Sequence, residues 1–342
     1  MFDAIYRLGD SISDTGNFIH EDPASPFARL PYGKTFFNNA TESGRCSNGL
    51  LMIDYFALAA GLPFLPPYLD QDVSVICNHG ENFAVAGATA LPPDVLAKRN
   101  ISFSPTKYNL NVQLDWMSTY FNGICHNAED RAKKLKTALF MVGEIGGNDY
   151  NFAFLQGKTI EEVRDMVPEV VQAIKDTVRR VIGYGANRVV IPGNLPIGCL
   201  PICLAIFQTN NSAAYDEFHC LKELNSFSMY HNDQLKQALE DLRKENPNVI
   251  VVYGDYYNAF QSVYHNALLL GFDVESMQKP CCGAGVDNDF SLTKACGDPD
   301  APVCPNPDER ISWDGLHLTQ QAYQYMANWL IHDILPNLHC TF

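Results

Sequence analysis

Residues at opposite ends of this chain could together carry out acyl chemistry. Ser11 sits in the turn Gly9-Asp10-Ser11, directly after the apolar run Ala4-Ile5-Tyr6-Arg7-Leu8. About 300 residues later the chain reads Trp313-Asp314-Gly315-Leu316-His317. A serine hydroxyl is a poor nucleophile at neutral pH until a positioned base takes its proton. An aspartate three residues before a histidine can orient such a base through one ring nitrogen and leave the other facing the serine. Triads are defined by geometry and not by chain order. If these three residues meet, the chain is a serine hydrolase; taken alone, the Asp-x-x-His run also reads as a buried histidine ahead of the last helix.

Two further segments could supply the charge stabilisation that acyl transfer needs. In Asn82-Phe83-Ala84-Val85-Ala86-Gly87-Ala88-Thr89 an apolar run ends at a glycine whose bare backbone N–H can approach a ligand closely. In Gly143-Glu144-Ile145-Gly146-Gly147-Asn148-Asp149-Tyr150 another apolar run ends at an asparagine whose amide can donate to a tetrahedral oxyanion. Loss of one such donor costs on the order of 10²–10³ in rate. The residues after Ser11 are expected to open a helix, whose first N–H groups would favour the same anion. Each segment by itself also reads as an ordinary turn or strand exit. Gly33-Lys34-Thr35 resembles the end of a phosphate loop, but Ala28 stands where glycine is required. Gly183-Tyr184-Gly185 precedes an apolar run instead of following one, so it is not a dinucleotide fingerprint. No Gly-x-Ser-x-Gly elbow occurs.

The elements that must position these residues alternate. Strands are expected at 4–8, 82–86, 138–142, 188–191 and 249–253. Helices are expected at 50–60, 112–121, 160–182, 214–244, 259–269 and 319–331. Alternation of this kind predicts an α/β fold with a parallel sheet of about five strands between two helical layers. In such sheets ligands bind outside the carboxyl ends of the strands, where Ser11, Gly87, Gly147 and Asn148 all fall. No repeat or linker-like stretch interrupts the pattern, so one domain spanning residues 1–342 is expected. Two long loops, about Gly16–Ser47 and Gly271–Pro307, are functional or cross-linked by the usual rule for long loops in compact domains.

Composition narrows the partners. The formal net charge is −15, which repels phosphate backbones and argues against nucleic acid. No apolar run approaches the roughly 20 residues that span a bilayer. The chain runs from Met1-Phe2-Asp3 straight into the first strand without a visible signal peptide, as in a cytosolic protein or a mature form lacking its targeting segment. Eleven cysteines and three sequons, at Asn39, Asn100 and Asn210, favour a secretory origin. Eleven is odd, so at least one cysteine lacks an intramolecular partner. Neither C-x₂-C pairs nor a matching histidine spacing is present, so zinc is not expected.

Taken in order, the segments carrying Ser11, Gly87, Asn148 and Asp314-x-x-His317 resemble the four blocks of the GDSL esterase/lipase family, also called SGNH hydrolases. The resemblance extends to Pro31–Phe37, Gly44–Gly49, Asn194–Cys199 and Cys281-Cys282-Gly283, which look like plant members. It implies a flavodoxin-like three-layer α/β/α sandwich, with Ser11 as nucleophile, His317 as base and Asp314 as orienter. It implies an oxyanion hole of the Ser11 N–H, the Gly87 N–H and the Asn148 amide. Neither metal nor cofactor is implied. A monomeric, glycosylated enzyme outside the cell or in the vacuole is expected, acting on a small-molecule ester such as an acetyl ester of a plant alkaloid or phenolic. Transfer of the acyl group to another alcohol, lipase activity and a non-catalytic binding role are the alternatives. Leu8, where the family usually has Phe, and Glu42-Ser43, an extra pair before Gly44, depart from the pattern without touching a functional position.

Overall fold

The computed structural model describes residues 2–36, 43–70, 79–102, 104–283, 290 and 294–338. Five strands form one sheet: β1 (Ile5–Leu8), β2 (Gly80–Asn82), β3 (Leu139–Val142), β4 (Arg188–Pro192) and β5 (Ile250–Gly254). All neighbours are parallel, in the order β2-β1-β3-β4-β5. Every residue of β1 and β3 is buried. A parallel sheet covered on both faces requires this, because side chains of both parities meet a helix.

Parallel neighbours need crossovers, and helices supply them. In chain order these are α1 (Asn17–Glu21), α2 (Met52–Ala60), α3 (Pro93–Lys98), α4 (Leu110–Ile124), α5 (Ala128–Leu135) and α6 (Gly147–Leu155). Then come α7 (Ile160–Arg164), α8 (Val167–Tyr184), α9 (Pro201–Ile206), α10 (Lys222–Glu245), α11 (Tyr256–His265) and α12 (Gln320–Asn337). α2, α11 and α12 pack together on one face of the sheet, and α4, α8 and α10 on the other. In α8, Val167, Val170, Val171, Ile174, Val178 and Val181 form one buried stripe, the spacing of a helix that faces a core. Each such side chain contributes roughly 1.5–3 kcal/mol on burial. Gly185, with φ 116°, ends the helix in the left-handed conformation that glycine adopts most easily. The three-layer α/β/α arrangement is therefore the one the alternating pattern predicts.

Several boundaries differ from expectation. The helix expected over 160–182 is two helices, α7 and α8, with Pro168 in the first turn of the second. Proline fits there because the first turn has no intrahelical use for its missing N–H. The helix expected from Ala214 begins at Lys222, because Cys220 is tied to Cys199 by a disulfide and Tyr215 bridges to Leu221. The strand expected over 82–86 is Gly80–Asn82. Beyond it Phe83 and Val85 still donate N–H bonds to the Arg7 and Gly9 carbonyls, so the chain follows β1 out of the sheet.

Of the two long loops, the second is cross-linked. The first holds α1 and is tied to Asp314 by a hydrogen bond from Tyr32. The second carries the disulfides Cys281–Cys304 and Cys282–Cys296. Among the described residues Cys46, Cys125 and Cys203 are free thiols. Asn100 and Asn210 are exposed; Asn39 and Glu42 lie outside the described residues. No helix among the described residues is long and apolar enough to cross a membrane.

Candidate active site

The order β2-β1-β3 makes β1 the strand from which the chain departs in both directions, the topological switch point of this kind of sheet. Ser11 follows β1, Gly87 follows β2 and Asn148 opens α6 after β3. The residues after Ser11 do not form the expected helix. Ser13 and Asp14 both donate N–H bonds to the Asp10 carbonyl, giving a tight turn, and helical backbone begins only at Asn17. A side-chain clamp holds the turn from below. Gln113 of α4 accepts the Gly9 N–H at 2.9 Å and donates to the Gly9 carbonyl at 2.8 Å.

The structure brings Ser11, His317 and Asp314 together. His317 Nδ1 lies 2.6 Å from Asp314 Oδ2, and His317 Nε2 lies 2.8 Å from Ser11 Oγ. Burial alone would raise the Asp314 carboxyl. The His317 charge and hydrogen bond, with the N–H groups of His317 and Leu316, more than offset that and hold it below the ordinary carboxylate range. An ionised Asp314 only accepts, so the imidazole proton sits on Nδ1 and Nε2 is free to accept from the Ser11 hydroxyl. The turn that carries the pair is pinned at several points. Asp314 Oδ1 accepts the Leu316 and His317 N–H groups at 3.0 and 2.7 Å. Ser312 Oγ accepts the Gly315 N–H. The Cys281 and Cys282 N–H groups donate to the Ser312 and Trp313 carbonyls, so the paired disulfides hold the strand that leads into Asp314.

Asn148 joins the three strand exits. Its amide donates to the Ala88 carbonyl at 3.0 Å and approaches Asp10 Oδ2 at 3.4 Å. Gly87, at φ 79°, lies beneath Pro105, whose Cγ would be 2.3 Å from a Cβ added there. The exit of β2 is fixed by two buried carboxylates. Asp14 accepts the Ala86 N–H together with those of Gly16, Asn17 and Phe18. Asp149 accepts the N–H groups of Ala90 and Leu91.

A narrow cleft of about 40 Å³ opens at Ser11, between Asn148, Asn151, Asn194, Leu195, Leu200 and His317. Among the described residues Gly87 is not one that lines it. A hollow of about 860 Å³ lies along Leu204, Phe218, Tyr264 and Leu268 and includes none of the three residues; size does not locate the chemistry here.

Sequence reasoning passed over two groups that touch the site. Tyr32, buried, donates its hydroxyl to Asp314 Oδ2 at 2.8 Å. Gln113 clamps Gly9. Tyr32 lies in the Pro31–Phe37 run and Asn194 in the Asn194–Cys199 run, so those two motifs were the available signal for the walls of the site. Gln113 sits in an amphipathic helix with nothing to distinguish it from a surface glutamine.

A family model described as "GDSL-like Lipase/Acylhydrolase" matches residues 5–330. Acetylajmalan esterase of Rauvolfia serpentina is 44% identical over 344 residues, covering 100% of this chain and 88% of the relative. A GDSL esterase/lipase of Arabidopsis thaliana is 41% identical over 338 residues, covering 99% of this chain and 91% of the relative. A crystal structure of phospholipase A1 from Streptomyces albidoflavus superposes with a TM-score of 0.41 at 13% identity, over 96% of this chain and 100% of that one. With a match over nearly its whole length, this chain belongs to the GDSL-like lipase/acylhydrolase family and is a serine carboxylic-ester hydrolase.

Proposed function

We propose that Ser11, His317 and Asp314 are the catalytic triad of this hydrolase and that it works through an acyl-enzyme. Ser11 Oγ bonds to the ester carbonyl carbon while its proton passes to His317 Nε2. The carbonyl oxygen takes the electron pair and becomes an oxyanion. The Ser11 N–H, the Gly87 N–H and the Asn148 amide are the donors in this reading; such donors commonly tighten only around the reacting atom. Collapse of the intermediate breaks the carbon–alkoxy bond, and the leaving alcohol takes the proton from His317. A water molecule, deprotonated by His317, repeats the sequence and frees the acid. Asp314 keeps the imidazole in the required tautomer throughout. The observation that carries the reading is the unbroken chain of contacts from Asp314 through His317 to Ser11.

The substrate proposed is a small acyl ester of a plant metabolite, an acetylated alkaloid or phenolic. The cleft beside Ser11 supports a short acyl group: it offers about 40 Å³, where a single water needs roughly 10–15 Å³. The similarity to an acetylajmalan esterase points the same way. A secretory route, ending outside the cell or in the vacuole, is supported by three disulfides and by the exposed sequons Asn100 and Asn210 as glycosylation sites.

Ser11→Ala should lower kcat for a short ester by at least about 10³-fold, with the unfolding temperature unchanged. A variant that kept wild-type turnover would overturn the triad. A parallel series of acetyl, butyryl and octanoyl esters should show kcat/KM falling with chain length; a preference for octanoyl would overturn the short-acyl reading.

A further inference from the structure

The exits of β1 and β3 bury two carboxyl groups that the triad does not use. Asp10 is 3% exposed and Glu144 4% exposed, and the two side chains are neighbours. Both line the cleft with Ser11, Asn148 and His317. Two carboxyl groups in contact away from water cannot both ionise, so one of them keeps a proton. Asp10 has the partners of an anion: Oδ1 accepts the Ile12 N–H at 3.1 Å, and Oδ2 faces the Asn148 amide at 3.4 Å. Glycines on both sides make room for Glu144. A Cβ at Gly147 would lie 2.9 Å from Glu144 Oε1, and one at Gly9 would lie 3.2 Å from the Glu144 carbonyl oxygen.

We propose that Glu144 is a positioning residue of the esterase. As the neutral acid it donates to Asp10 and so fixes the carboxylate that holds the Ile12 N–H and the Asn148 amide. The inference rests on the reading of Ser11 and Asn148 given above.

The surroundings favour this placement of the proton. Burial pushes Glu144 well above the ordinary glutamate range; the Asp10 charge and hydrogen bond and the Asp149 charge add to this, and Arg7 opposes it. Asp10 is pushed by burial only to about 6, because the Ile12 N–H, Glu144, His317 and Arg7 all favour its anion. The titratable groups facing the pair are Arg7 from β1, Cys46 from the first long loop, Asp149 and Tyr150 from α6, Tyr256 from α11, Tyr323 from α12 and His317 from the last turn. Arg7 is the cation among them, so Arg7, ionised Asp10 and neutral Glu144 balance to zero. Removing the shared proton at alkaline pH sets a second negative charge against Asp10. The Asn148 amide is then drawn out of place, and the developing oxyanion meets an added like charge. Both effects act on the transition state more than on the bound ester, so kcat falls while KM holds.

The test uses the full chain with Glu144→Gln and Glu144→Leu, p-nitrophenyl acetate as the ester, and a pH series from about 5 to about 10. Thermal unfolding and phosphonylation of Ser11 by a fluorophosphonate are followed alongside. Glu144→Gln still offers an N–H to Asp10. It should keep kcat within about threefold of wild type and lose the alkaline decline that wild type shows. Glu144→Leu offers no donor and should lose roughly 10–100-fold in kcat with KM within about twofold. Wild-type kcat in Glu144→Leu, equal impairment of the two variants, or an alkaline decline retained in Glu144→Gln would each overturn the proposal. If the leucine variant does not fold, the alkaline limb of wild type against Glu144→Gln decides alone. Failure of wild-type Ser11 to take the phosphonate would instead overturn the triad reading, which separates the two.

Discussion

The Asp314 carboxylate serves four donors with two oxygens. Oδ1 takes the turn's own N–H groups, and Oδ2 takes both His317 Nδ1 and the Tyr32 hydroxyl. Tyr32 therefore shares the lone pairs that meet His317 Nδ1. Its ring also packs edge-on against Phe27, which in turn meets the edge of His317. Tyr32→Phe keeps this packing and removes the hydroxyl. A hydrogen bond to a charged group contributes roughly 1.5–3 kcal/mol, and on the proposed mechanism much of that concerns how Asp314 holds the imidazolium. Steady-state kinetics should show kcat reduced about tenfold at nearly constant KM. An unchanged kcat would make Tyr32 a packing residue only.

At the scale of elements, the site depends on how the loops beyond the sheet are fastened. The adjacent cystines Cys281–Cys304 and Cys282–Cys296 close short loops, and the backbone beside them pairs with Ser312 and Trp313. Replacing Cys282 and Cys296 together by serine should cost about 2–4 kcal/mol. Urea unfolding would show this as an earlier midpoint, and kcat should fall because Asp314 sits directly after the anchored segment. Most of β1, β3, β4 and β5 could be read from the chain because doubly covered strands are unbroken apolar runs. α6 could not: Gly147-Asn148-Asp149 has the composition of a turn, and its helical backbone is set by contacts with the neighbouring exits. Ser11, Asn148 and His317 were legible by residue type and order. Tyr32 and Gln113 were not, because their hydrogen bonds join positions 282 and 104 residues apart, and no local pattern encodes a partner so distant.

The whole molecule carries buried carboxyls whose effect on stability has a definite sign. Burial raises Asp14 to about 6, Asp149 to about 7 and Glu81 to about 8. An acid whose folded value lies above its unfolded value favours folding fully below the unfolded value, near 4. That contribution is lost progressively as pH rises through the folded value. His231 acts oppositely: burial lowers it to about 3, so its contribution is complete above roughly 6.5 and lost as pH falls. The carboxyls outnumber it, and the net charge of −15 adds repulsion at high pH. The unfolding temperature should be higher at about pH 5.5 than at about pH 8.5, by on the order of 5 °C, and Glu81→Gln should remove part of the difference. A higher value at the alkaline end would contradict this account of the buried acids.

The distance along the chain between Ser11 and His317, its proposed base, 306 residues, also has a consequence during biosynthesis. Polypeptides grow at roughly 5–20 residues per second, so about 15–60 s separate the making of the serine from the making of its histidine. Throughout that interval β1 can pair and its turn can form, yet the hydroxyl lacks its proposed base. On the proposed triad, activity arrives in one step, with the last turn. On the proposed triad, a growing or truncated chain that stops short of His317 should be silent toward the esters around it.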